Sequence, residues 1–92
     1  MLYITVCLNV LPGVDFDEAY KAAKEVEAHT KNDAGCLYFH VYPLSREKRQ
    51  LMMWEIWTDK AAVAASHEMP HTKAFFAKKL VAPEFGYESI VE

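Results

Sequence analysis

Gln50-Leu51-Met52-Met53-Trp54-Glu55-Ile56-Trp57-Thr58-Asp59 is the stretch whose reading decides the fold. Side chains on a strand alternate between two faces. Here Leu51, Met53 and Trp57 share one face with Glu55, and Met52, Trp54 and Ile56 occupy the other. A strand with one face in water should alternate apolar and polar, and this one does not. Cys36 to Tyr42 behaves in the same way, with Leu37, Phe39 and Val41 on one side and Cys36, Tyr38, His40 and Tyr42 on the other. Pro43 to Arg49 reads as the polar turn of a hairpin between this strand and Gln50 to Thr58.

Outward from the hairpin, the periods change. Leu2, Ile4, Val6, Leu8 and Val10 mark an opening strand that stops at Leu11-Pro12-Gly13. Val14 to Thr30 turns helical, with Asp15 or Asp17 as cap and Phe16, Ala19, Tyr20, Ala23 and Val26 on one stripe. Asn32-Asp33-Ala34-Gly35 ends it. On the other side, Asp59 caps Lys60 to Glu68, and Pro70 breaks that helix and starts another. The new helix is expected from His71 to Val81, Pro83 ends it, and Phe85 to Val91 supplies a last strand. The order β-α-β-β-α-β predicts an α+β, ferredoxin-like split βαβ domain over residues 1–92. Its four-stranded antiparallel sheet would carry helices on one face. The other apolar face needs a second cover, and a homodimer packed sheet on sheet provides it.

Composition narrows the function. The 92 residues are 52% hydrophobic with a net charge of −3, which disfavours nucleic acid as a partner because that binding relies on clustered cations. No apolar run approaches the roughly 20 residues that span a bilayer. The strand at Leu2 begins without a charged leader region, so the expected location is cytoplasmic. Cys7 and Cys36 fall in expected strands and should act as small hydrophobes rather than as a disulfide. Three widely spread glycines cannot form a phosphate-cradling loop, so no nucleotide cofactor is expected.

The chain resembles the antibiotic-biosynthesis-monooxygenase family of dimeric α+β barrel proteins. The resemblance rests on the strand ending in Pro12-Gly13, on Gly35-Cys36-Leu37 with Phe39, and on Glu55, Trp57 and Asp59 before an alanine-rich helix. His67, Pro70-His71 and Phe75-Phe76 complete it. It implies a ferredoxin-like protomer, a sheet-to-sheet dimer and a pocket between sheet and helices. Some members of the family oxidise quinols or aromatic polyketides with molecular oxygen and neither metal nor flavin; others degrade haem or isomerise a phosphorylated signalling sugar. The haem-degrading pattern is a poor match, because no Trp stands near His67 and no His near Ala77 and Lys78. The expectation is therefore a cofactor-independent monooxygenase-like protein for a small aromatic or quinol-type substrate. The alternatives are an enzyme for a small phosphorylated carbonyl compound, with Lys73 or Lys79 as its cation, and a non-catalytic ligand-binding dimer.

Glu55 is the sharpest candidate, since a carboxylate in an apolar strand must be paired, hydrogen-bonded or neutral. It is expected to share acid/base duty with His67 and His71, although a structural ion pair explains it equally simply. The two histidines are four apart, yet Pro70 between them spoils a two-imidazole metal face, so no metal is expected. His67 at a helix end is favoured charged and His71 at a helix start neutral. Trp57, Phe75 and Phe76 are expected as aromatic walls and Asn9 as a contact for a substrate carbonyl. Core packing for the phenylalanines and a satisfied turn amide for Asn9 are the plainer roles.

Overall fold

The computed structural model describes residues 1–91. Its elements are β1 (Leu2–Val10), α1 (Phe16–Thr30), β2 (Cys36–Ser45), β3 (Gln50–Trp57), α2 (Lys60–His67), α3 (Pro70–Ala77) and β4 (Val81–Ile90). The strands form one sheet in the order β2-β3-β1-β4, every neighbouring pair antiparallel. This is the ferredoxin-like arrangement, with the central pair β1 and β3 adjacent although a helix and a strand separate them in sequence.

Register explains which side chains reach the helices. Leu2 pairs with Trp57, Ile4 with Glu55, Val6 with Met53 and Leu8 with Leu51. These residues share the face that the helices cover, and Leu2, Ile4, Leu8, Leu51 and Met53 join Phe16, Ala19, Ala23, Val26, Val41 and Phe75 in the core. Each helix is punctuated by the residue types its ends require. Asp15 accepts from the Glu18 N–H at 3.0 Å, and Asp59 accepts from the Ala62 N–H at 2.8 Å, so both carboxylates cap free amides. Pro70 opens α3 after an extended Met69, where a missing N–H costs nothing.

Gly35 turns the chain from α1 into β2 with φ +82°. A Cβ there would lie 2.5 Å from the Ala62 Cβ and 2.7 Å from the Thr58 Oγ1, so this turn is also where α2 docks.

One face and several boundaries differ from the sequence reading, the last strand among them, which begins at Val81 rather than Phe85. Leu37 does not share a face with Phe39 and Val41. A β-bulge pairs Cys36 with Trp57 and Tyr38 with Ile56, leaving Leu37 as the extra residue, while Cys36 packs against the core. Strand β2 continues to Ser45, and its hairpin closes through Arg49 at φ +58°. Helix α3 stops at Ala77 rather than Val81: Lys79 adopts φ +53° and Leu80 turns back to accept from the Leu11 N–H. Pairing with β1 thus takes over the segment that helical spacing would have claimed. Pro83 therefore lies within β4, an edge strand, where a residue without an N–H is tolerated.

The face away from the helices carries an aromatic surface. Tyr38, His40 and Tyr42 stack along β2, and Trp54 meets Tyr42 edge-on at 5.6 Å between ring centres. Trp54 is 49% exposed and Tyr87 is 70% exposed, with Tyr3, Tyr38 and Phe85 also open. Among the described residues no helix is long and apolar enough to cross a membrane.

Candidate functional site

Between the sheet and the helices lies a cavity of about 220 Å³. Its sheet wall is Val6, Leu8, Phe39, Met53, Glu55, Trp57 and Pro83, mostly the inward positions that the register aligns. Its helical wall is Val26 and Thr30 from α1, Ser66 and His67 from α2, and Thr72, Phe75 and Phe76 from α3. For scale, a cavity of about 150 Å³ accommodates benzene. The space therefore suits one ring with small substituents.

Glu55 is 8% exposed and faces this space from the middle of the sheet. Trp57, two residues on and on the same face, donates its indole N–H to the Glu55 Oε1 at 2.9 Å. Trp57 is itself only 1% exposed, so the bond lies in a dry setting. Burial pushes the Glu55 carboxyl above the ordinary carboxylate range, and the Trp57 bond opposes that push without cancelling it. The partner of this buried carboxylate is thus the neighbouring indole. Among the described residues neither His67 nor His71 hydrogen-bonds to it.

The other sequence-nominated residues separate into two groups. His67 closes α2 and stands exposed at the cavity rim, and Phe75 and Phe76 line the wall edge to face, their ring centres 5.2 Å apart. Phe75 is buried and Phe76 is half open, so the second ring sits at the mouth. His71 and Asn9 lie outside the lining. His71 Nε2 is 3.1 Å from the Asp33 Oδ2, and its ring stacks on His29 along a surface cleft between α1 and α3. Asn9 donates to Glu84 and accepts from Gln50 Nε2 at 3.2 Å, near the far end of the sheet. Among the described residues no cluster of three His, Cys, Asp or Glu side chains could hold a metal.

A set of hydroxyls escaped the sequence reading. Thr30 and Thr72 are buried to 2% and 7% exposure, and neither Oγ1 has a hydrogen-bond partner among the described residues. Ser66 donates to the Asp33 Oδ2 at 2.6 Å. One carboxylate oxygen thereby joins the turn after α1 to α2 and, through His71, to α3. The signal in the sequence was slight: a lone Ser in an alanine-rich helix and an Asp in a turn.

The family model described as "Antibiotic biosynthesis monooxygenase" matches residues 1–78. A Bacillus subtilis (strain 168) protein described as "Uncharacterized protein YjcS" is 40% identical over 91 residues, covering 99% of this chain and 87% of that protein. A solved structure described as protein YJCS superposes with a TM-score of 0.95 at 35% identity, covering 99% of this chain and 98% of the other. SnoaB from Streptomyces nogalater, described as a cofactor-independent oxygenase, superposes with a TM-score of 0.81 at 12% identity over 99% of this chain and 92% of its own. At that identity the likeness speaks for the fold alone.

Proposed function

The chain belongs to the antibiotic biosynthesis monooxygenase family, and from that premise we propose that it is a small cofactor-independent oxygenase for a single-ring aromatic or quinol-type substrate. The observation that carries this reading is Glu55, a buried carboxyl with raised proton affinity in a largely apolar cavity of one-ring size. A base poised above the ordinary carboxylate range is better matched to removing a proton near neutral pH than a solvated one. In the proposed reaction a ring hydroxyl gives its proton to Glu55, and the electron-rich ring carbon bonds to dioxygen. Glu55 returns its proton to the resulting peroxide anion, and the hydroperoxide eliminates water as the ring carbon gives up its C–H hydrogen. One oxygen atom stays on the ring as a carbonyl and the other leaves in water.

Trp57 holds the carboxylate in place, Phe75 and Phe76 flank the ring, and His67 at the rim is the group available for proton exchange with solvent. His71 and Asn9 act, in this reading, from outside the first contact layer: His71 by steadying Asp33, Asn9 by tying β1 to β3 and β4. The phosphorylated-carbonyl alternative needs a cation in the cavity. Lys and Arg are missing from the lining among the described residues, and Lys73 is engaged with Glu68 on the surface. The protein is further proposed to work as a cytoplasmic homodimer, since the aromatic outer face of the sheet is large enough to require a cover.

Oxygen uptake with a panel of single-ring quinols, in the presence of a chelator, is the direct test. Consumption that Glu55→Gln abolishes is the expected result. Silence across the panel, with rings still binding in the cavity, would instead identify a non-catalytic binder.

A further inference from the structure

We propose that the surface cleft between α1 and α3 is a second entrance to the cavity, shut at neutral pH, and that the stacked pair His29 and His71 is its acid-sensitive latch. The inference needs only the cavity itself and holds whatever molecule the cavity takes.

The cleft measures about 170 Å³, with Ala22, Glu25 and His29 of α1 on one side and His71, Ala74 and Lys78 of α3 on the other. Val26 and Phe75 line both this cleft and the cavity, so a single layer of side chains separates the two spaces. Beside that layer His29, in the last turn of α1, stacks on His71, in the first turn of α3, with ring centres 5.5 Å apart and planes 24° apart. The pair is anchored on the His71 side. His71 Nε2 lies 3.1 Å from the Asp33 Oδ2, and this carboxylate, only 7% exposed, also holds Ser66 of α2. The His29 ring stands exposed.

Histidine is the side chain that ordinarily changes charge between about pH 5 and 8. Among the described residues the charged groups facing the pair are Glu25 on α1, Asp33 in the turn and Lys78 on α3, while α2 presents only the Ser66 hydroxyl. A first added proton is balanced by Asp33. The second sets two like charges against each other with ring centres 5.5 Å apart, and Lys78 adds to the repulsion while the exposed Glu25 opposes it. Between the limits of bulk water and a protein surface, repulsion at that separation favours parted rings by roughly three- to hundredfold. Parting α1 from α3 at this point draws Phe75 away from Val26 and opens the cavity from behind.

Acrylamide quenching of the Trp57 fluorescence lifetime reads access to the cavity, in a Trp54→Phe background that leaves Trp57 as the sole indole. The quenching constant should rise about threefold or more from pH 8 down to about pH 5 and fall again on return. His29→Phe keeps a stacking ring without the charge, and His29→Gln removes both; each should flatten the rise. His67→Gln, at the rim of the cavity, should leave the rise intact. Glu55→Gln should leave it intact as well, which separates access from titration of the carboxyl beside the indole. A flat profile without these further substitutions overturns the proposal. So does a rise that survives both His29 substitutions, as general acid unfolding would, or one that His67→Gln or Glu55→Gln abolishes, since the proton would then act elsewhere.

Discussion

Trp57 and Glu55 stand two positions apart on one strand, and the indole N–H of the first holds the carboxylate of the second at 2.9 Å inside the cavity wall. A β-strand brings residues i and i+2 to the same face, so the pair is local in sequence and needs no long-range docking to form. What the tertiary structure adds is the dryness around it, from α1, α2 and α3 above and from Phe39 and Ile4 on the flanking strands.

Glu55→Gln should therefore alter two pH profiles in opposite senses. Burial raises the folded-state proton affinity of Glu55 above that of the unfolded chain. Its neutral form is favoured by folding, so this contribution to stability is complete below the ordinary carboxylate range and declines as pH rises through the raised value. Turnover, which needs the ionised base, should climb across the same window. The variant should lose that slope in thermal melts and lose turnover by about 10²- to 10⁴-fold. Melting curves and oxygen uptake at matched pH values check both, and a wild-type melting profile flat through that window would refute the buried titration.

Trp57→Phe keeps the aromatic wall and deletes the donor. Hydrogen bonds to a charged group contribute about 1.5–3 kcal/mol, so the carboxylate form of Glu55 loses support on that scale. The carboxyl should titrate still higher, which carbon-detected NMR of the side chain reads directly. An unchanged titration would mean that the indole bond is not sustained in solution.

Gly35→Ala should be among the most damaging small substitutions on the surface turns. Positive φ alone disfavours Ala there by more than about 1 kcal/mol, and the new methyl would lie 2.5 Å from the Ala62 Cβ. For a domain of this size each kcal/mol corresponds to about 4–8 °C in melting temperature. The companion Ala62→Gly should relieve the contact with Ala62 and leave both the Thr58 Oγ1 contact at 2.7 Å and the backbone part. Because α2 carries Ser66 and His67, ligand binding should weaken along with stability.

The outer face gives a fourth expectation. Trp54→Lys and Tyr87→Lys put charges into the aromatic surface without touching the cavity lining. The wild type should elute from size exclusion at twice the chain mass, and the double variant at the chain mass. Wild-type elution at the chain mass would remove the sheet-to-sheet interface.

The architecture was legible because its strands are strongly patterned and its breaks are chemical: Pro12-Gly13, Gly35, Asp59 and Pro70 each stand where an element ends or begins. The two-faced character of the hairpin strands was equally readable from Trp54 and Trp57. The bulge at Leu37 was not, since one extra residue leaves no mark on composition and shows only when Cys36 is seen opposite Trp57. The end of α3 was misjudged because Leu80 fits a helical stripe as well as it fits a strand. At the site, Glu55 and Trp57 share a face as strand alternation requires, whereas the expected partnership of Glu55 with His67 or His71 is not formed, because where the helix ends pack is not encoded locally. Asp33, remote in sequence from Ser66 and His71, takes one histidine out of the cavity by a contact that no local spacing encodes.

The chain contains two tryptophans, and the fold has separated them completely. Trp57 is sealed beside the carboxyl of the cavity, and Trp54 stands half in water on the far side of the same strand. Their emission spectra should differ, because a hydrated indole emits to the red of a dry one. The molecule thus carries an intrinsic two-channel optical gauge: the blue component responds to what enters between sheet and helices, and the red component to what covers the opposite face. The proposed ligand entry and the proposed subunit pairing can be tested in one unlabelled sample and told apart by colour.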